Sequence, residues 1–152
     1  MLYLILVWLH VVAAAIAVGT NVTYGVWMAR VRKAPAALPF TLATVKVLDD
    51  RMANPAYGIV GLTGVLLVWL GPFGFATPWI AASTALFVIV GGLAFFVYTP
   101  TLRAQVELAV TGRTNTPEFT ALSKRGAMLG PILGVLVVAI LFLMVVKPAL
   151  WG

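Results

Sequence analysis

The sequence contains no cysteine. Disulfides, thiolate metal sites, iron–sulfur clusters and a cysteine nucleophile are thereby excluded. Histidine occurs once, as His10. A zinc or copper site needs three or four protein ligands, and a single histidine cannot build one. Met1, Met28, Met52, Met128 and Met144 are too scattered along the chain to form a copper relay. Charge is scarce as well. Charged residues make up 9% of the chain, against about 25% in a soluble domain, too few to cover a water-facing surface. No glycine-rich phosphate loop follows a strand, and nothing supports a Ser/His/Asp catalytic group. Basic stripes with interleaved aromatics are missing too. Nucleic acid is therefore not an expected partner, despite a net charge of +6.

What the chain has in abundance is apolar sequence, 62% of 152 residues. The medium around it is then the lipid bilayer. The expected fold is all-α: a membrane-spanning four-helix bundle, with residues 1–152 forming one transmembrane domain. The first span is read over residues 2–28 and is stopped by Arg30, Arg32 and Lys33. Its uncharged run is too long for the apolar part of a cleaved signal peptide. Residues 52–102 carry no charge and are too long for one crossing. Gly71-Pro72-Phe73-Gly74 and Thr77-Pro78 mark a hinge inside them, which gives a second span over 55–70 and a third over 78–98. The fourth covers 126–146 and ends at Lys147-Pro148.

Nine of the ten basic residues lie in the 1–2 and 3–4 connections, and only Lys147 lies elsewhere. Basic loops stay on the cytoplasmic side, so both termini are expected outside, in a bacterial cytoplasmic (inner) membrane. Trp8, Trp69, Trp79 and Trp151 fall near the outer ends of the spans and Trp27 near an inner end, which suits an aromatic belt. Leu38, Leu42, Val45, Leu48 and Met52 share one helical face, so residues 38–52 are expected as an interfacial helix leading into Pro55. The third helix is expected to run on past Pro100 and end near Gly112.

Few residues can carry chemistry. Ionisable groups inside a membrane are costly and are functional candidates by default, which singles out His10. Its helical face continues through Ala14, Ala17, Asn21 and Tyr24. The two alanines leave room for a flat ligand, with a neutral, hydrogen-bonded histidine as the plainer alternative. Haem needs only one axial imidazole from the protein; the second ligand is left open between Met, water and a symmetry mate's His10. Lys147 lies on the same side as His10 and can pair with a haem propionate or another anion; the plainer reading is a snorkelling lysine. Asp49, Asp50 and Arg51 read as a solvated connector face. Gly126, Gly130 and Gly134 on helix four and Gly58, Gly61 and Gly64 on helix two offer small surfaces that let helices approach closely. Helices two and four are expected to meet there in the inner half and to splay outward, a homodimer or larger homo-oligomer being the alternative use of those faces.

Leu9-His10-Val11, Asn54-Pro55 and Val145-Val146-Lys147-Pro148 resemble a bacterial family of predicted four-helix integral membrane proteins of unknown function. More distantly, the layout resembles the copper-resistance D-type membrane proteins and the small membrane-bound protoporphyrinogen oxidase that works without flavin. The last resemblance implies haem b, and a functional pair made by a histidine early in helix one and a lysine in a later helix. His10 matches the first; the third span has no lysine. The expected function is haem b binding with a redox or electron-transfer role through His10. The alternatives are a small oligomeric transporter with Thr20, Asn21 and Tyr24 along a polar route, and a non-catalytic accessory membrane subunit.

Overall fold

In lipid a backbone satisfies its own polar groups either as a helix or as a closed barrel. The structure, a computed structural model, describes residues 1–150, and among them there are helices and no strand. Trp151, expected in the aromatic belt, lies outside the described residues. Four helices are long and apolar enough to cross a membrane. The first, α1 (Leu2–Val31, 30 residues), is about 45 Å long and overruns a hydrocarbon core of about 30 Å.

The second crossing is the upper part of one continuous 36-residue helix, Pro35–Leu70. It comprises a 3₁₀ turn at Pro35–Ala37, α2 (Leu38–Leu48), a π-helical stretch at Asp49–Ala53 and α3 (Asn54–Leu70). The third crossing mirrors it: α4 (Pro78–Leu93), a π-helical stretch at Ala94–Tyr98 and α5 (Thr99–Val110) form a single 33-residue helix. A proline follows each π stretch after one intervening residue, Pro55 after Asn54 and Pro100 after Thr99. A proline ring presses on the carbonyl four residues back and offers that carbonyl no N–H. Widening the preceding turn relieves the clash without breaking the helix. This corrects the expectation of a separate interfacial helix over 38–52: that segment is the lower part of the second long helix. Its apolar face is covered by α5 instead of lipid, with Leu42 and Val45 each 1% exposed.

The last helix, α6 (Pro117–Val146), starts well before the span expected at 126. Thr116 caps it, its hydroxyl accepting from the Phe119 N–H at 3.2 Å, and Pro117 occupies the first turn. Pro131 lies inside it. The α5–α6 connection turns at Gly112, whose φ of 73° suits a residue without a Cβ. At the other end, Gly71 closes α3; a Cβ there would sit 2.5 Å from the Leu67 carbonyl oxygen.

The spans are packed as two pairs, α1 on α3 and α4 on α6, while α1 and α6 touch over a short stretch. Neither α3 with α4 nor α3 with α6 forms a packed pair. The two pairs are tied together at the basic end, where α2 packs on α5 and α5 on α6 around Tyr24, Leu42, Val45, Leu102, Leu108 and Phe119. Within the spans the residues facing inward are small, with Ala13, Ala17, Thr63 and Ser83 all buried, so backbones approach closely there. Leu62, Trp69, Phe95, Val135 and Val145 face outward, as the wall of a lipid-embedded protein requires.

The expected contact between helices two and four is therefore overturned. A Cβ at Gly58, Gly130 or Gly134 would meet nothing within 4 Å. Gly126 does face a neighbour, but it is Gln105 of α5, whose Nε2 donates to the Leu122 carbonyl at 2.9 Å. Gly61 faces the Phe87 ring and Gly64 faces His10. The glycines of helix two are thus used against α4 and α1. The bundle does splay toward the charge-poor end, because only the basic end carries the tying helices.

Candidate functional site

The splay leaves a chamber of about 570 Å³ in the charge-poor half, between the two helix pairs. This lies within the range of about 300–1,000 Å³ typical of small-molecule sites. Its wall is mostly apolar, with Val11, Val60, Ile80, Phe87 and Leu141 among its members. Three groups of different chemistry border it: His10 from α1, Ser83 and Thr84 from α4, and Lys147 just beyond α6.

His10 is half-buried and held across the first helix pair. Its Nδ1 lies 2.9 Å from the Thr63 hydroxyl oxygen of α3. That hydroxyl spends its one proton on the Ile59 carbonyl, at 2.6 Å, so toward His10 it can act only as an acceptor. With the Thr63 proton placed on the Ile59 carbonyl, this pairing assigns the ring proton to Nδ1. Gly64 makes the fit possible, because a Cβ there would stand 3.3 Å from the imidazole Cε1. A metal-binding histidine is oriented in the same manner, by a partner on its other nitrogen.

Of the two alanines expected beside His10, Ala14 lines the chamber. Ala17 is 0% exposed and borders a smaller apolar space of about 40 Å³ beneath it, where all four spans converge. Ala17 is thus part of the packing below the floor and not of the wall itself.

Lys147 stands at the mouth. It is the only non-glycine residue with a positive φ among the described residues, at 51°, and its N–H closes α6 onto the Leu143 carbonyl at 3.0 Å. This left-handed cap is uncommon for a residue with a side chain. It accompanies a position of the ammonium over two rings, 5.3 Å from the centre of Trp79 and 6.0 Å from that of Phe73. The rings themselves meet edge to face at 5.6 Å. No carboxylate among the described residues pairs with Lys147.

Ser83 was not singled out from the sequence. It is 1% exposed, and its hydroxyl has no hydrogen-bond partner in the protein. Thr20, Thr63 and Thr101, also buried in helices, each return their hydroxyl proton to the carbonyl four residues back, at 2.7, 2.6 and 2.6 Å. Ser83 alone among these does not. The available signal was the spacing Ile80, Ser83, Phe87, Val90, which puts the serine on the inward face of the third span.

A second polar centre lies at the basic end. Asp49, expected on a solvated face, is 5% exposed. Its carboxylate accepts from Thr99 at 3.1 Å and Asn54 at 3.2 Å, with the Tyr24 hydroxyl at 3.5 Å. It thus joins α1, α3 and α5 at the basic end. The position was legible, because 42, 45 and 49 share one helical face with two buried aliphatic residues. Asp50 pairs with Lys46 instead. Of the residues expected along a polar route, Thr20 bonds the Ile16 carbonyl, Asn21 donates to Tyr57 and Tyr24 turns to Asp49. None of the three lines the chamber.

Among the described residues no group of three histidine, cysteine, aspartate or glutamate side chains is placed to hold a metal ion. Of the five methionines, Met144 borders the chamber. The donor set thus suits a cofactor that brings its own equatorial ligands and asks the protein for one imidazole.

Residues 4–148 match a family model described as "Predicted integral membrane protein (DUF2269)", and the chain belongs to that family. No curated protein and no solved structure matches it.

Proposed function

We propose that this member of the family is a haem b-binding protein of the bacterial cytoplasmic membrane, with a redox or electron-transfer role and with its basic end in the cytoplasm. The observation that carries the reading is the imidazole of His10, anchored through Nδ1 by Thr63 and lining a chamber of about 570 Å³. Haem, when bound, supplies one-electron chemistry at iron. The chain's own residues divide the remaining tasks. His10 offers the axial nitrogen, and Thr63 fixes which nitrogen that is. Ala14 leaves space for a flat ring, and the aliphatic wall keeps water out. Lys147 at the mouth would offer a cation to the propionates, and Met144 also borders the chamber.

The absorbance spectrum of protein purified from haem-replete cells tests this. A Soret band that shifts on reduction is expected, and His10→Ala should abolish it with the fold retained. A colourless wild-type preparation that, given haemin, shows no Soret band beyond that of His10→Ala would overturn the reading.

A further inference from the structure

A buried hydroxyl in apolar surroundings normally has a partner, and in a helix the nearest one is the carbonyl four residues back. Ser83 has neither that partner nor any other. It is 1% exposed and borders the chamber. A second group at the same end of the chamber is also unmatched: the Lys147 ammonium, over the Trp79 ring at 5.3 Å. Trp79 and Ser83 are four residues apart on α4, one helical turn, and so lie on one face. Helical side chains lean toward the helix N-terminus, which for Ser83 means toward Trp79 and the mouth. A hydroxyl donor and an ammonium thus border one end of an apolar chamber, and neither has an acceptor within the described residues.

We infer that Ser83 and Lys147 together form an acid-binding subsite, and that the occupant is a flat apolar molecule carrying a carboxylate, seated with its acid end at the mouth. The inference rests on the chamber being the ligand site, and it extends the haem reading by assigning Ser83 a direct contact. Lys147 supplies charge, and Ser83 donates one hydrogen bond to a carboxylate oxygen. His10, on α1 of the other helix pair, addresses another part of the molecule. The occupant is thereby oriented as well as held.

The test separates acid recognition from iron ligation. Metal-free protoporphyrin IX and its dimethyl ester have the same ring and differ in their carboxylates, and neither offers iron to His10. Their binding to the purified full-length protein in detergent can be followed by porphyrin fluorescence. The wild type should bind the free acid roughly tenfold or more tightly than the ester, the worth of one hydrogen bond to a charged group. Ser83→Ala and Lys147→Gln should each erode that preference while leaving ester binding unchanged, and Ser83→Thr should restore it. The melting temperature of the empty protein should not fall in Ser83→Ala, because the hydroxyl it removes bonds nothing. Equal binding of acid and ester by the wild type, an equal loss for both in Ser83→Ala, or a destabilised empty variant would each overturn the inference. Haemin run in parallel keeps the two readings apart. A missing His10-dependent Soret band with a retained acid preference removes the haem assignment alone. A Soret band without acid preference removes the subsite alone.

Discussion

His10 Nδ1 and the Thr63 hydroxyl, 53 residues apart in sequence, meet at 2.9 Å across the α1–α3 interface. The bond both fixes the tautomer of the imidazole and fastens the two helices. Replacing Thr63 by valine keeps the volume and removes the acceptor. Thr63→Val should lower the haem-to-protein ratio after purification and cost about 1 kcal/mol of stability, the usual net worth of one such bond. Thr63→Ser should keep both. An unchanged haem content in Thr63→Val would mean that the chamber, and not the tautomer, governs binding.

The two glycines of α3 on either side of Gly61 should behave oppositely. At Gly64 a Cβ already stands 3.3 Å from His10, so the branched side chain of Gly64→Val pushes the ring off Thr63. Overpacking of this kind costs about 1–3 kcal/mol, and the spectrum should change with it. At Gly58 a Cβ meets nothing, so Gly58→Ala should be neutral, or stabilising by up to about 1 kcal/mol through helix propensity. Thermal melts of the two variants side by side decide this.

Asp49 accepts at the point where three helices converge. Asp49→Ala leaves Asn54 and Thr99 without their acceptor and should destabilise the protein by on the order of 3 kcal/mol. Asp49→Asn keeps an acceptor oxygen and should lose less. Because the damage lies at the basic end, porphyrin affinity measured well below the melting temperature should be nearly unchanged in Asp49→Asn. A large affinity loss there would show that the two polar centres are coupled.

Gly130→Leu separates packing within one chain from packing between chains. A Cβ there would meet nothing within 4 Å in the protomer, so the variant should melt within about 0.5 kcal/mol of wild type, as surface substitutions do. Light scattering in detergent gives the complementary reading. A changed oligomeric mass would place this small-residue face against a second copy.

Four apolar helices were legible because length and hydropathy alone decide them in lipid. Their ends were less so, for identifiable reasons. The polar start of α6 carries no hydropathy signal, although Thr116-Pro117-Glu118 is a helix-start pattern and the helix begins there. Pro55 suggested a break and an interfacial segment, but a π stretch absorbs it and the helix runs on, as the third helix does past Pro100. Glycine spacing correctly marked small surfaces, yet spacing on one helix does not name the partner: Gly64 proved to face an imidazole and Gly130 nothing in its own chain. His10, Ala14 and Lys147 were found by residue type and side of the membrane, and all three border one chamber. Ser83 and Asp49 were missed because each looked unremarkable by type. Their meaning lies in helical phase, which sets them on buried faces beside Ile80 and Val45.

The basic-end junction also acts as a fulcrum. From there α3 extends 17 residues, about 25 Å, toward the mouth. At that lever length each degree of rotation at the base carries the far tip about 0.4 Å sideways. Five degrees would move it by about 2 Å, enough to widen or pinch the entrance while the joint itself hardly moves. Asp49, which accepts from Asn54 and Thr99, thus sits at the pivot of that lever.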